Sequence, residues 1–219
     1  MPAPDAISCD QLARLLGTPK SPILLDVRRD AVRAEDPRLV PGARVLEEHD
    51  LAPRRLSALA RELAGPVVVI CAEGHRLSQG TAAWLRHEGL QAEYLLGGQA
   101  AWTASGLPLI DPGKITARDE HGRSLWITRS RPKIDRIACP WLIRRFVDPR
   151  AVFLFVAPAE VQGVAERFGA MPYDIEGTFW SHRDDLCTFD VLLAEFGQRR
   201  ALDVTTGGDG HDHILTFDQ

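Results

Sequence analysis

The sequence predicts an α/β protein: a mainly parallel sheet with helices on both faces, followed by a smaller α+β domain. Three observations predict it. Short runs such as Val67–Ile70 are apolar throughout, which suits strands buried on both faces. Those runs alternate with segments of helical period, the order of a parallel sheet with crossover helices. Glycine and proline stops at Gly17, Gly65–Pro66 and Gly89 separate the elements.

The elements follow in order. Ser8 to Leu16 reads as a helix, with Ser8 as its N-cap and Gly17 as its stop. Pro22 to Arg28 is a buried strand that ends in charge. Arg29 to Leu39 is polar and partly helical, and Val40 to Leu46 gives a turn and a short strand. Leu56 to Leu63 is helical up to Gly65–Pro66. Val67 to Ile70 is a strand, Ser78 to Glu88 a helix, and Ala92 to Gly98 a strand entering a glycine turn. Residues 1–110 form the first domain, 111–123 a polar linker and 124–219 the second domain. In the second domain, Ile134 to Phe146 is helical, with Pro140 either in the first turn behind Cys139 or inside a longer helix begun by Asp135. Ala151 to Pro158 is a strand. Val161 to Phe168 and Thr188 to Phe196 are helices ended by Gly169 and Gly197. The segment after Arg199 has no helical period.

The formal net charge is −4, which argues against a generic nucleic-acid binder. The charge is uneven. Between Arg129 and Arg150 seven bases face two acids, so that segment carries +5 and the rest −9. No run is long and apolar enough to span a bilayer, no targeting segment is read, and a cytoplasmic protein is expected. The cysteines Cys9, Cys71, Cys139 and Cys187 lack paired spacing, so free thiols are expected.

The chemistry-bearing stretch is CAEGHR, Cys71 to Arg76. It places a thiol at the carboxyl end of a strand and just before a helix. A helix amino end and nearby cations favour the thiolate. The small residues Ala72 and Gly74 let backbone amides turn inward as an anion nest, with Glu73 and His75 completing the loop. Arg76 supplies a fork of donors for an anionic substrate. Four residues separate Cys71 from Arg76, one fewer than in a phosphate-wrapping phosphatase loop. The tighter cradle suits a single sulfur on the cysteine.

Residues Ser8 to Leu109 resemble a rhodanese domain, the single-domain sulfurtransferase fold. The residues that carry the resemblance are LLDVR (Leu24 to Arg28), the turn Pro41 to Ala43, CAEGHR, and LLGGQAAW (Leu95 to Trp102). The resemblance implies Cys71 as sulfur carrier and Arg76 as its catalytic partner. It also implies Ala72, Glu73, Gly74, His75, Asp26 and Arg28 as substrate-binding candidates, the last two as a pair ordering the surroundings. A sulfur donor, a thiol or cyanide acceptor and no cofactor follow. In one respect the sequence departs: a Ser or Thr usually follows the loop arginine, and here Leu77 intervenes before Ser78.

SRPKIDRIACPWLIRRF, Ser130 to Phe146, resembles the C-terminal domain of chromate-resistance proteins of the ChrB type. That resemblance implies an oxyanion-stress context. Arg131, Lys133, Arg136, Arg144 and Arg145 are candidates to converge on an oxyanion, against the alternative of a solvated basic face. Cys139 reads as a core thiol or a resolving partner for Cys71. His182 and Cys187, even with His211, Asp212 and His213, have no diagnostic metal spacing, and no metal is expected. Two functions therefore stand: a sulfurtransferase acting through a Cys71 persulfide, or an oxyanion-sensing protein whose first domain is a non-catalytic redox or interaction module.

Overall fold

The structure, a computed structural model, describes residues 5–131 and 133–197. His211, Asp212, His213 and the segment after Arg199 lie outside the described residues. The chain divides into two units, with the break after Leu109.

The first unit is a five-stranded sheet in the order β1-β5-β4-β2-β3, parallel at every pairing. Its strands are β1 (Ala6–Ile7), β2 (Ile23–Asp26), β3 (Arg44–Val45), β4 (Val67–Ile70) and β5 (Ala92–Leu95). The helices are α1 (Cys9–Leu15), α2 (Asp30–Glu35), α3 (Pro53–Glu62), α4 (Arg76–His87) and α5 (Gly98–Ala104). Central β4 is buried along its whole length. Alternation along it explains why. Val67, Val69 and Cys71 pack with Leu56, Leu59, Ala82 and Leu85 from α3 and α4. Val68 and Ile70 pack on the other face with Leu12 of α1 and Trp102 of α5. A strand covered on both faces has no polar side, as its composition predicts.

Ser8 caps α1 as expected, in a reciprocal capping box with Gln11. Two elements of this unit were not read from the sequence, the two-residue edge strand β1 and helix α5. Helix α5 begins on two glycines in left-handed conformation, Gly97 (φ 68) and Gly98 (φ 58).

The second unit has a three-stranded parallel sheet, β7-β6-β8, built from β6 (Leu125–Arg129), β7 (Val152–Val156) and β8 (Met171–Pro172). Pro172 is tolerated because β8 is an edge strand and its missing N–H leaves no gap in a central ladder. Helices α6 (Ile134–Leu142) and α8 (Thr188–Glu195) bury Trp126 on one face, and α7 (Val161–Phe168) covers Ile127 on the other. Pro140 sits inside α6, and the chain widens into a π-helical turn over Ile143–Val147. A proline ring crowds the carbonyl four residues back and donates nothing to it, so the helix is disturbed there. The stretch 111–123, expected as a linker, sends Ile115 and Ala117 into the second unit's core. No helix among the described residues is long and apolar enough to cross a membrane.

Candidate active site

Cys71 ends β4, and the loop after it enters α4 at Arg76. Four carbonyls of this loop have donors elsewhere in the protein. Those of Cys71 and Ala72 accept from the Gln99 and Ala100 amides of α5, each at 2.9 Å. The Gly74 carbonyl accepts from Gln79 Nε2 at 2.9 Å, and the His75 carbonyl from the Gln79 amide at 3.0 Å. In a trans peptide the following N–H points opposite to the carbonyl. The amides of Ala72, Glu73, His75 and Arg76 therefore face away from α5 and Gln79. None of the amides from Glu73 to Ser78 donates to a protein carbonyl among the described residues. Free donors of this kind, beside the amino end of α4, are the groups an anion nest requires.

Close packing of backbone on backbone makes this possible. Gly74 (φ 71) and Gly98 meet face to face. A Cβ on Gly74 would lie 2.6 Å from the Leu95 carbonyl oxygen, and one on Gly98 would lie 2.6 Å from both the Ala72 oxygen and the Gly74 nitrogen. Only glycine fits either position.

The Cys71 sulfur is 6% exposed, counted over the residue, and lies 3.0 Å from the Ser78 hydroxyl. Glu73, His75 and Arg76 are exposed, and Glu73 and His75 pair at 3.4 Å on the rim. Arg76 makes no ion pair with the described residues, so its donors are available to an anion. Burial pushes the thiols of Cys9 and Cys139 up, and that of Cys187 up to about 12. A nearby carboxylate adds to the rise in each: Asp10 beside Cys9, and Asp135 beside Cys139 and Cys187. Burial and these carboxylates disfavour the thiolate in all three.

Asp26 and Arg28, expected both as substrate-binding candidates and as a pair ordering the surroundings, form a buried ion pair. Both are buried, and each guanidinium nitrogen of Arg28 has a protein partner. Its Nε meets Asp26 at 2.9 Å, Nη1 the Asp36 carbonyl at 2.8 Å and Nη2 the Arg38 carbonyl at 2.9 Å. Gln99 Nε2 reaches the same Arg38 carbonyl at 2.8 Å, so the pair steadies α5 and, through it, the Cys71 loop.

A family model described as the rhodanese-like domain matches residues 8–105. A curated sulfurtransferase from Allochromatium vinosum is 30% identical over 106 residues, covering 48% of this chain and 94% of that protein. The chain belongs to the rhodanese-like family. A model described as the C-terminal domain of ChrB matches residues 126–204 of this rhodanese-like protein. Protein ChrB of Cupriavidus metallidurans is 37% identical over 100 residues, 46% of this chain and 28% of ChrB, so the match spans under a third of ChrB's length. A solved thiosulfate sulfurtransferase from Pseudomonas aeruginosa superposes with a TM-score of 0.41 at 31% identity, over 50% of this chain and 20% of that one.

In the ChrB-type domain two of the five basic candidates, Arg136 and Arg144, are held by separate partners. Arg136 is buried against Asp174, with Nε 2.7 Å from Oδ2, and it also donates to the Arg131 carbonyl. Arg144 lies over the Phe153 ring at 5.0 Å and donates to the Ala151 carbonyl at 3.3 Å. Eight positions along a helix separate their Cα atoms by about 12 Å. Arg131 and Lys133 are exposed ahead of α6, and Arg145 is half-buried beyond it. The sequence reading missed the partner because Asp174 is 38 residues away. Asp174 also meets the Thr188 hydroxyl at 3.3 Å, and Asp135 takes the Thr188 amide at 3.3 Å. His182, Asp135 and Asp174 each bring one ligand-type atom within 4.8 Å of the others. Both carboxylates already serve partners of their own, so the group is a clamp joining α6, β8 and α8.

Proposed function

We propose that this protein is a sulfurtransferase that moves sulfane sulfur from thiosulfate or a persulfide donor to a thiol or cyanide acceptor through a Cys71 persulfide, in a chromate-stress context. The observation that carries the reading is the loop itself: a cysteine at a strand end, followed by amides with no protein acceptor and by an Arg76 with no ion pair among the described residues. In the loading half-reaction the Cys71 thiolate attacks the outer sulfur of thiosulfate. The S–S bond of thiosulfate breaks, and sulfite leaves with the electron pair. The outer sulfur of the resulting Cys71 persulfide carries a negative charge, which the amides and the helix amino end stabilise. In the release half-reaction the acceptor takes that sulfur and the pair returns to Cys71 Sγ. Every step runs on side chains and backbone.

The test is a mass spectrum after thiosulfate treatment. One added sulfur on the Cys71 peptide is expected, together with thiocyanate formation when cyanide is supplied. A Cys71→Ser protein as active as the parent would overturn the assignment.

A second reading is supported by the low exposure of Cys71 and by the relative named ChrB. In it the rhodanese-like domain is a redox or interaction module of an oxyanion-sensing protein. Calorimetric titration with chromate and sulfate, binding without turnover, would favour this reading over the first.

A further inference from the structure

Ser78 occupies the third position of α4, and its hydroxyl is fully buried against the reactive sulfur. Its Oγ lies 3.0 Å from Cys71 Sγ and 3.1 Å from the His75 carbonyl oxygen. One hydroxyl proton thus has two acceptors to choose between. While Cys71 carries its proton, the thiol donates to Ser78 and Ser78 donates to His75. Once Sγ has no proton, as thiolate or as the inner sulfur of a persulfide, it can only accept. Ser78 then turns its proton to the sulfur. The turn leaves no orphan behind, because the His75 carbonyl keeps the Gln79 amide at 3.0 Å.

The sequence departure at Leu77 finds its reason here. Leu77 packs into the apolar cluster of α3 and β4, and the next helical position turns toward the sulfur. A hydroxyl one residue later reaches Cys71 by a different route.

Resting on the sulfurtransferase reading, we infer that Ser78 governs the release half-reaction by stabilising Cys71 Sγ as a leaving group. The two half-reactions treat this hydrogen bond oppositely. During loading, negative charge moves off Sγ into the new S–S bond, so a donor to Sγ stabilises the starting thiolate more than the transition state. During release, the acceptor bonds to the outer sulfur, the Sγ–S bond breaks, and its electron pair collects on Sγ. The Ser78 hydrogen bond strengthens as that charge grows. Only an interaction stronger in the transition state accelerates a step. A better-stabilised leaving thiolate also departs faster.

Rapid-mixing measurements on the full chain separate the halves. Parent, Ser78→Ala and Ser78→Thr proteins are loaded with thiosulfate and then discharged with cyanide, and the persulfide fraction is read by mass spectrometry. The Ala protein is expected to load within about threefold of the parent and to discharge about ten- to a hundredfold more slowly, the range of a hydrogen bond to a charged group. Its steady-state persulfide fraction rises. The Thr protein, which keeps the hydroxyl, discharges within a few-fold of the parent. A merely structural role would slow both halves together and would not be rescued selectively. Loading in all three proteins with equal discharge, or with both halves slowed alike, overturns the role of Ser78 and leaves the sulfurtransferase reading standing. A parent Cys71 that takes up no sulfur overturns both.

Discussion

The Gln99 amide donates to the Cys71 carbonyl oxygen across 2.9 Å, and the Gln99 side chain reaches the Arg38 carbonyl that Arg28 also holds. One residue of α5 thereby joins the reactive loop to a buried ion pair on β2. Removing one member of such a pair leaves the other buried and unpaired, a loss of about 3–5 kcal/mol. The loop's shape therefore depends on groups that never touch substrate.

Gly98→Ala tests the closeness of this packing. The added methyl would lie 2.6 Å from the Ala72 oxygen and the Gly74 nitrogen, both backbone atoms that cannot step aside. Overpacking of this kind costs about 1–3 kcal/mol. The left-handed backbone adds about 1–2 kcal/mol for a residue with a Cβ. Urea unfolding should show the first unit destabilised, and sulfur uptake at Cys71 should fall below what the folded fraction accounts for. An unchanged midpoint with full uptake would contradict the close approach.

Arg76→Ala should behave in the opposite way. The side chain is exposed and has no partner among the described residues, so stability should stay within about 0.5 kcal/mol of the parent. The KM for thiosulfate should rise by about tenfold or more, since a charge-assisted contact to the dianion is lost. Lysine should restore charge but not the forked geometry, and so recover only part of the affinity. Steady-state kinetics beside a thermal melt check both halves of the statement.

Asp135 gives the second unit a pH signature. Burial raises its carboxyl above the usual range, and the neighbouring Asp174 adds to the rise. The folded form then holds the proton more tightly than the unfolded form. Between the ordinary carboxyl value and the raised one the folded state binds more protons, so stability falls as pH climbs through that window. Asp135→Asn should flatten that fall while keeping an acceptor for the Thr188 amide. Denaturant titrations of both proteins across the acid range would show parallel curves if Asp135 were unshifted.

Much of the site was legible because its signals are local. Strand, Cys71, loop and helix follow one another within 14 residues, and Ser8, Gly89 and Gly169 mark boundaries by their own backbone chemistry. Helix α5 escaped notice because it is short and opens on two glycines, which read as a turn. Strands β1 and β8 are two residues long and carry no period at all.

The basic segment left two readings open for another reason. A run of like charges reports its sum but not where each side chain ends. Arg136 is neutralised by Asp174, and Arg144 lies over Phe153, partners that only the folded sheet brings near.

By itself the sequence determined the α/β class, the thiol at a strand end and the arginine that follows it, because periodicity and loop chemistry are written in neighbouring residues. The tertiary structure alone decided that the amides after Cys71 find no protein acceptor among the described residues, that Arg28 is held between Asp26 and the Asp36 and Arg38 carbonyls, and that Ser78 meets the sulfur. Each of these depends on a distance between atoms from separate elements, and hydrogen bonds act only where folding has closed that distance to about 3 Å.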